Sequence, residues 1–346
     1  MARHPRPAWR HVYRWDLDKT YLDTHFEELK SLVRIPFERA EHKVNVPGSA
    51  SLLRELAAAH EGLGPSRVTI ISGSPRQMRG VLEEKLRLDG VSWHEFHLKP
   101  QLRNIRQGRF RALREQVGYK LPLLLRSRFE LGVSVGETLF GDDAEDDAFV
   151  YSLYADILAG QVDEALLIAV LETAGSDRES VERCLKWREQ VVQSKECSGG
   201  EGVESIFIHL DRSSPPSVFA PFGLRLVPVF NYFQAALVLF ARGHLDAASV
   251  MNVTRAFLKA DQKPADQLAN LFQDVMRRGY LPTSAMQDLG MAVQERADSV
   301  SEAEVVWKCV ERAGDLGNAR VVGLSTSTEP LDYVGLLERL RARSGR

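Results

Sequence analysis

The chain has 346 residues, enough for one large domain or two modest ones around a sizeable core. Apolar residues at 44% and charged residues at 27% are ordinary for a soluble globular protein, and a formal net charge of -2 does not mark the whole molecule as a nucleic-acid binder. Cys184, Cys197 and Cys309 are too sparse for a disulfide scaffold and form no metal-ligand spacing, so a reducing, cytoplasmic setting is expected.

Met1 to Arg10 is basic and has no apolar run, so no secretory signal is expected there. The first strand is expected over Tyr13 to Leu17, followed by helical spacing over His25 to Val33 and an irregular charged segment from Arg34 to Pro47. A helix from Ser49 or Ser51 to His60 stops at Gly62 and Gly64-Pro65. The β-branched run Val68 to Ile71 then reads as a buried parallel strand ending in Ser72-Gly73-Ser74-Pro75. A helix over Gln77 to Leu86 and a strand over Trp93 to Leu98 follow. Gly118-Tyr119-Lys120 precedes an apolar helix, Leu121 to Phe129, with Pro122 in its first turn.

Glu137 to Phe140 is the next strand, and it runs into the acidic turn Gly141-Asp142-Asp143-Ala144-Glu145-Asp146-Asp147. Helices are expected over Ala148 to Leu158, Asp163 to Glu172 and 177 to 192, then strands over Ser205 to Leu210 and Leu224 to Val229. The apolar stretch Leu224 to Ala241 is interrupted by Arg225, Pro228, Asn231 and Gln234, which argues for a buried strand and helix and against a membrane span. From Asn231 onward the pattern is helical, with no metal or cofactor motif. The fold class is therefore α/β: a Rossmann-like, mostly parallel sheet flanked by helices, then a mostly helical C-terminal region. Residues 11 to 230 are expected to form the first unit, with its motif core over 12 to 158, and 231 to 340 the second.

Ligands of open parallel sheets bind beyond the carboxyl ends of the strands. There the sequence places Asp16 and Asp18, with Thr20 beyond them; Ser72, Gly73 and Ser74; and the acids from Asp142 to Asp147, with Lys120 opening the intervening helix. Carboxylates with no histidine or cysteine favour Mg2+ over zinc. The serine, the lysine and the turn N–H groups complement phosphate oxygens.

In this order and spacing, Trp15-Asp16-Leu17-Asp18-Lys19-Thr20, Ile70-Ile71-Ser72, Lys120 and Gly141-Asp142-Asp143-Ala144-Glu145-Asp146 resemble the four motifs of the haloacid dehalogenase superfamily. Val46-Pro47-Gly48 and Ser72-Gly73-Ser74-Pro75 further resemble the actin-patch phosphatidate phosphatase (lipin-like) family. Relatives carry a small polar residue where this chain has Asp143. The resemblance implies a Mg2+-dependent phosphatase in which Asp16 is the nucleophile, Asp18 the acid/base, and Ser72 and Lys120 bind phosphate. It implies metal ligation by Asp16, the Asp18 carbonyl, Asp142 and Asp146, the last through the outer shell. Asp143 is the rival for a carboxylate role, and Thr20, Gly73 and Ser74 are accessory.

The implied partner is a phosphorylated substrate, extending to an anionic lipid reached by peripheral membrane contact; nucleic acid is less favoured. Alternatives are a phosphatase or phosphotransferase on a nucleotide, nucleic-acid end or small ester, and a catalytically quiet phospho-ligand scaffold. Lys99 to Arg128, with nine basic side chains and the single acid Glu115, would either steer an anion or form a solvated face. Histidines 94, 97 and 209 form no metal spacing.

Overall fold

Short β-branched runs that end in polar turns become the strands of one parallel sheet. A computed structural model describes residues 9–23, 40–58, 65–99, 109–132, 135–144, 146–194, 202–261, 265–295, 301–314 and 331–344. Among these the strands are β1 (His11–Trp15), β2 (Ser66–Pro75), β3 (Glu95–Lys99), β4 (Gly136–Asp142), β5 (Val203–His209) and β6 (Leu226–Val229). Every pairing is parallel, in the order β3-β2-β1-β4-β5-β6. The chain leaves the centre of the sheet in opposite directions from β1 and β4. That switch point is where an open α/β sheet offers a crevice.

Helices cover both faces. α1 (Ser49–Ala57), α2 (Arg79–Leu88), α3 (Arg109–Leu131), α4 (Asp147–Leu158), α5 (Glu164–Thr173) and α6 (Arg178–Gln193) connect the strands through β5. The C-terminal helices are α7 (Tyr232–Ala241), α8 (Ala247–Asp261), α9 (Ala265–Arg277), α10 (Thr283–Gln294), α11 (Ser301–Gly314) and α12 (Tyr333–Ser344). Alternation along the strands sends Trp15, Ile70, Phe140 and Phe207 to one face, where they join one apolar cluster with α1 and α7 to α11. Leu139, Ile206 and Ile208 face the other way, onto α3 to α6 and α12. α7 is buried from Tyr232 through Leu239, as a helix apolar on every side must be. No described helix is long and apolar enough to cross a membrane.

Three local expectations shift. The first strand ends at Trp15, so Asp16 and Asp18 both lie beyond it. Lys120 stands inside α3 instead of ahead of a new helix: Gly118 and Pro122 do not interrupt the helix. At Gly118 a Cβ would lie 3.1 Å from Ser180 Oγ, so this glycine serves the close crossing of α3 and α6. The basic stretch is also not one solvated face, because Lys120 and Arg128 are buried. The expected helix His25 to Val33 lies outside the described residues.

Candidate metal and phosphate site

The turn after β1 is held by backbone. Asp16 N–H donates to Phe140 O (3.0 Å), and Tyr21 and Leu22 N–H both donate to Leu17 O (2.9 and 2.8 Å). Lys19 closes this turn at φ 60. A left-handed residue with a Cβ costs about 1–2 kcal/mol. The conformation is held by Lys19 N–H donating to Leu22 O (2.8 Å), His209 Nδ1 donating to Lys19 O (2.8 Å) and an ion pair from Lys19 Nζ to Asp211 (2.8 Å). The turn is thereby tied to the end of β5.

Asp16, Asp142 and Asp147 each offer a carboxylate oxygen, all within 4.8 Å of one another, and all three residues are fully buried. Lys120 Nζ bridges Asp16 Oδ1 (3.0 Å) and Asp147 Oδ1 (2.5 Å). Charges taken out of water need compensation nearby, and Lys120 supplies it to Asp16 and Asp147. The field reaches two buried tyrosines: burial first, then Asp147, pushes the Tyr151 hydroxyl up; burial, then Asp142 and Asp16, does so at Tyr232. The donor set is all oxygen and geometrically suited to a divalent cation.

Asp142 is oriented from two sides, by Ala144 N–H donating to Oδ1 (2.5 Å) and Thr20 Oγ1 donating to Oδ2 (3.3 Å). Asp18 lies across the turn. Ser72 Oγ (3.0 Å) and Ser74 Oγ (2.7 Å) both donate to its Oδ2, while Ser74 N–H donates to Ser72 Oγ (2.9 Å). Gly73 connects the two serines. The expected residues of β1, β2, β4 and α3 therefore meet at the carboxyl end of the sheet, with Asp18, at 6%, more exposed than the cluster acids behind it.

The fourth motif brings in an acid that the sequence did not single out as a ligand. Asp147, the first residue of α4, completes the cluster with Asp16 and Asp142. Asp146 caps α4 at φ 61, with its carbonyl accepting from Phe149 N–H (3.0 Å) and Val150 N–H (3.3 Å). Asp143 turns away to accept from Arg212 N–H (2.9 Å) and Ser214 N–H (3.3 Å), bracing the loop after β5. The helix starts one residue earlier than its apolar pattern indicates. Asp147→Asn should weaken Mg2+ binding, read by titration calorimetry, roughly ten-fold or more.

Gly141 makes room for Asp147. A Cβ there would lie 2.5 Å from Asp147 Cβ and 2.8 Å from its Cγ, too close to stand. Gly141→Ala should displace α4's first turn from β4, weakening Mg2+ affinity together with the thermal unfolding midpoint. An unchanged affinity would show that Asp147 is placed by something else.

The sheet order and the acid triad at its switch point give a haloacid-dehalogenase-like, Rossmannoid fold, consistent with that superfamily. The geometry of the triad suggests a metal-coordinating site of the kind used in phosphoester hydrolysis. No protein-family model, curated protein or solved structure matches this chain at a significant level.

Proposed function

We propose that the protein is a Mg2+-dependent phosphomonoester hydrolase working through an aspartyl-phosphate on Asp16. The observation that carries this reading is the buried Asp16–Lys120–Asp147 bridge beside Asp142, with Asp18 two residues along the same turn and held by two serines. Asp16, Asp142 and Asp147 would hold the ion. When bound, magnesium supplies charge compensation for phosphoryl oxygens that approach these carboxylates.

An Asp16 carboxylate oxygen attacks phosphorus, the P–O bond to the leaving alcohol breaks, and Asp18 gives that oxygen its proton. Water then attacks the phosphorus of the Asp16 phosphate, Asp18 takes the water's proton, and inorganic phosphate leaves with the Asp16 carboxylate restored. Lys120 holds Asp16 in line and offsets charge growing on the transferring group. Ser72 and Ser74, both donating to Asp18 Oδ2, fix the rotamer of this acid/base.

Phosphatidate is the first substrate in this reading, supported by the resemblance at Ser72-Gly73-Ser74-Pro75. A phosphate-release screen with Mg2+ tests it, with phosphatidate in mixed micelles in one arm and nucleotides, sugar phosphates and 5′-phosphorylated oligonucleotides in the others. Magnesium-dependent release from phosphatidate alone supports the lipid assignment, and release only from soluble esters moves the substrate class. Binding without turnover in every arm would replace hydrolysis with a phospho-ligand scaffold.

A further inference from the structure

The amino-terminal end of the same sheet carries a second constellation, built from residues far apart in sequence. His11 opens β1, Glu204 is the second residue of β5, and His244 lies in the turn after α7. Each offers one ligand atom, and the three atoms lie within 4.8 Å of one another. His244 Nε2 stands 3.2 Å from Glu204 Oε2, and His11 Nδ1 stands 3.7 Å from Glu204 Oε1. Zinc bonds of roughly 2.0–2.1 Å in a tetrahedron put neighbouring ligand atoms about 3.3 Å apart.

Each residue is delivered by a distinct local device. Glu137 pairs with Val203 and Thr138 with Ser205, so Glu204 is the extra residue of a bulge between β4 and β5. Such a bulge re-aims a side chain that regular alternation would send elsewhere. His244 is set by the end of α7: Gly243 at φ 75 donates to Phe240 O (2.9 Å), and His244 N–H donates to Leu239 O (2.9 Å). The space between ligands is kept open by Gly136, where a Cβ would run into Glu204 Oε1 and lie 2.9 Å from His11 Nδ1.

We propose that His11, Glu204 and His244 form a second metal centre, taking a divalent transition metal of the zinc class at the foot of the sheet. Two imidazoles and one carboxylate suit zinc better than magnesium, in contrast to the oxygen-only site at the other end. β1 spans the distance between the two sites, about 16 Å from five residues of strand. Ligation selects the tautomers in which His11 Nε2–H donates to Thr138 Oγ1 (2.9 Å) and His244 Nδ1–H donates to Tyr13 Oη (3.1 Å). Each ring then presents its other nitrogen to the ion, the outer-shell arrangement common to histidine ligands. Glu204 is 39% exposed, which gives the ion its way in and leaves a coordination position for water. Arg10 and Arg242 approach the same end but donate to Gly243 O and to Ser205 Oγ and Leu224 O, respectively. A bound ion would join β1 and β5 to the turn between α7 and α8, pinning the C-terminal helices to the sheet.

Titration calorimetry of the full chain with Zn2+ in excess Mg2+ tests this. Wild type should bind one zinc per chain, with Glu204→Gln and His244→Gln each losing it and Tyr13→Phe weakening it roughly ten-fold. Asp142→Asn should keep zinc binding, since it belongs to the other site. Circular dichroism checks that each variant is folded, and Glu204→Gln, at a half-exposed position and equal in shape, decides if His244→Gln does not fold. No zinc uptake by wild type, uptake unchanged in Glu204→Gln, or uptake lost in Asp142→Asn would each overturn the proposal.

Discussion

Asp16→Asn should abolish Mg2+-dependent phosphate release, with kcat falling on the order of 10⁴-fold or more. Each factor of ten is about 1.4 kcal/mol of barrier, so the loss exceeds about 5 kcal/mol, more than a misplaced contact supplies. The amide keeps the shape of the acid and keeps an oxygen toward Lys120, so the fold should survive. It cannot supply the anionic oxygen that attacks phosphorus. Asp18→Asn separates the two steps. With an ester of strongly basic leaving alcohol, loss of the proton donor should cost about 10²–10⁴-fold. With a weakly basic leaving group such as p-nitrophenolate, the first step needs little proton donation, and the variant should show a burst followed by slow release. Rapid-quench measurement with radiolabelled phosphate reads both. Turnover by Asp16→Asn at wild-type rate would remove the nucleophile from the mechanism; an Asp18→Asn protein with no burst and no slowing would remove the acid/base.

Much of this site was legible because strand ends and polar turns are adjacent in the chain. A β-branched run ending at Ile71 placed Ser72 and Ser74, and Glu137 to Phe140 placed Asp142, by the same rule that parallel strands open toward ligands at their carboxyl ends. What remained hidden depended on long-range contact. Asp146 and Asp147 are neighbours, and nothing in the local sequence displays that Asp147 joins Asp16 and Asp142. Gly118 and Pro122 look like a helix boundary, yet α3 runs through both because Gly118 meets Ser180 across a helix crossing that local sequence does not display. His11 and His244 are separated by the whole sheet in sequence and meet only through topology. Arg128, one of a run of basic residues that read as surface, is an internal ion-pair partner.

That internal pairing sets the second large effect. Under α4, on the face opposite the aromatic layer, Glu137 accepts from Arg14 Nε (2.6 Å) and Nη2 (3.3 Å), Arg128 Nη1 (2.8 Å) and the Tyr154 hydroxyl (3.0 and 3.1 Å). Arg14 continues through Ser127 (2.8 Å) to Glu95, and Glu95 to Arg67 (each 2.7 Å). Glu137 is fully buried and both of its arginines are 1% exposed. Removing its carboxylate leaves two guanidiniums inside the core, and breaking a buried pair this way costs about 3–5 kcal/mol. A domain is stable by only about 5–15 kcal/mol, so Glu137→Ala should lower the urea midpoint steeply, and Glu137→Gln, which still accepts, should lower it less. The pH dependence has a fixed sign. Burial alone would raise the Glu137 carboxyl, but Arg14 and Arg128 outweigh it and hold the group below its ordinary value of 4.5. Its contribution is therefore complete above the unfolded-state value and declines as pH falls below it, by up to about 1.4 kcal/mol per pH unit. The gap between wild type and Glu137→Gln, measured by urea unfolding from neutral pH downward, should be constant near pH 7 and narrow below about pH 4.5. A gap that widens on acidification would mean that the two guanidiniums do not govern this carboxylate.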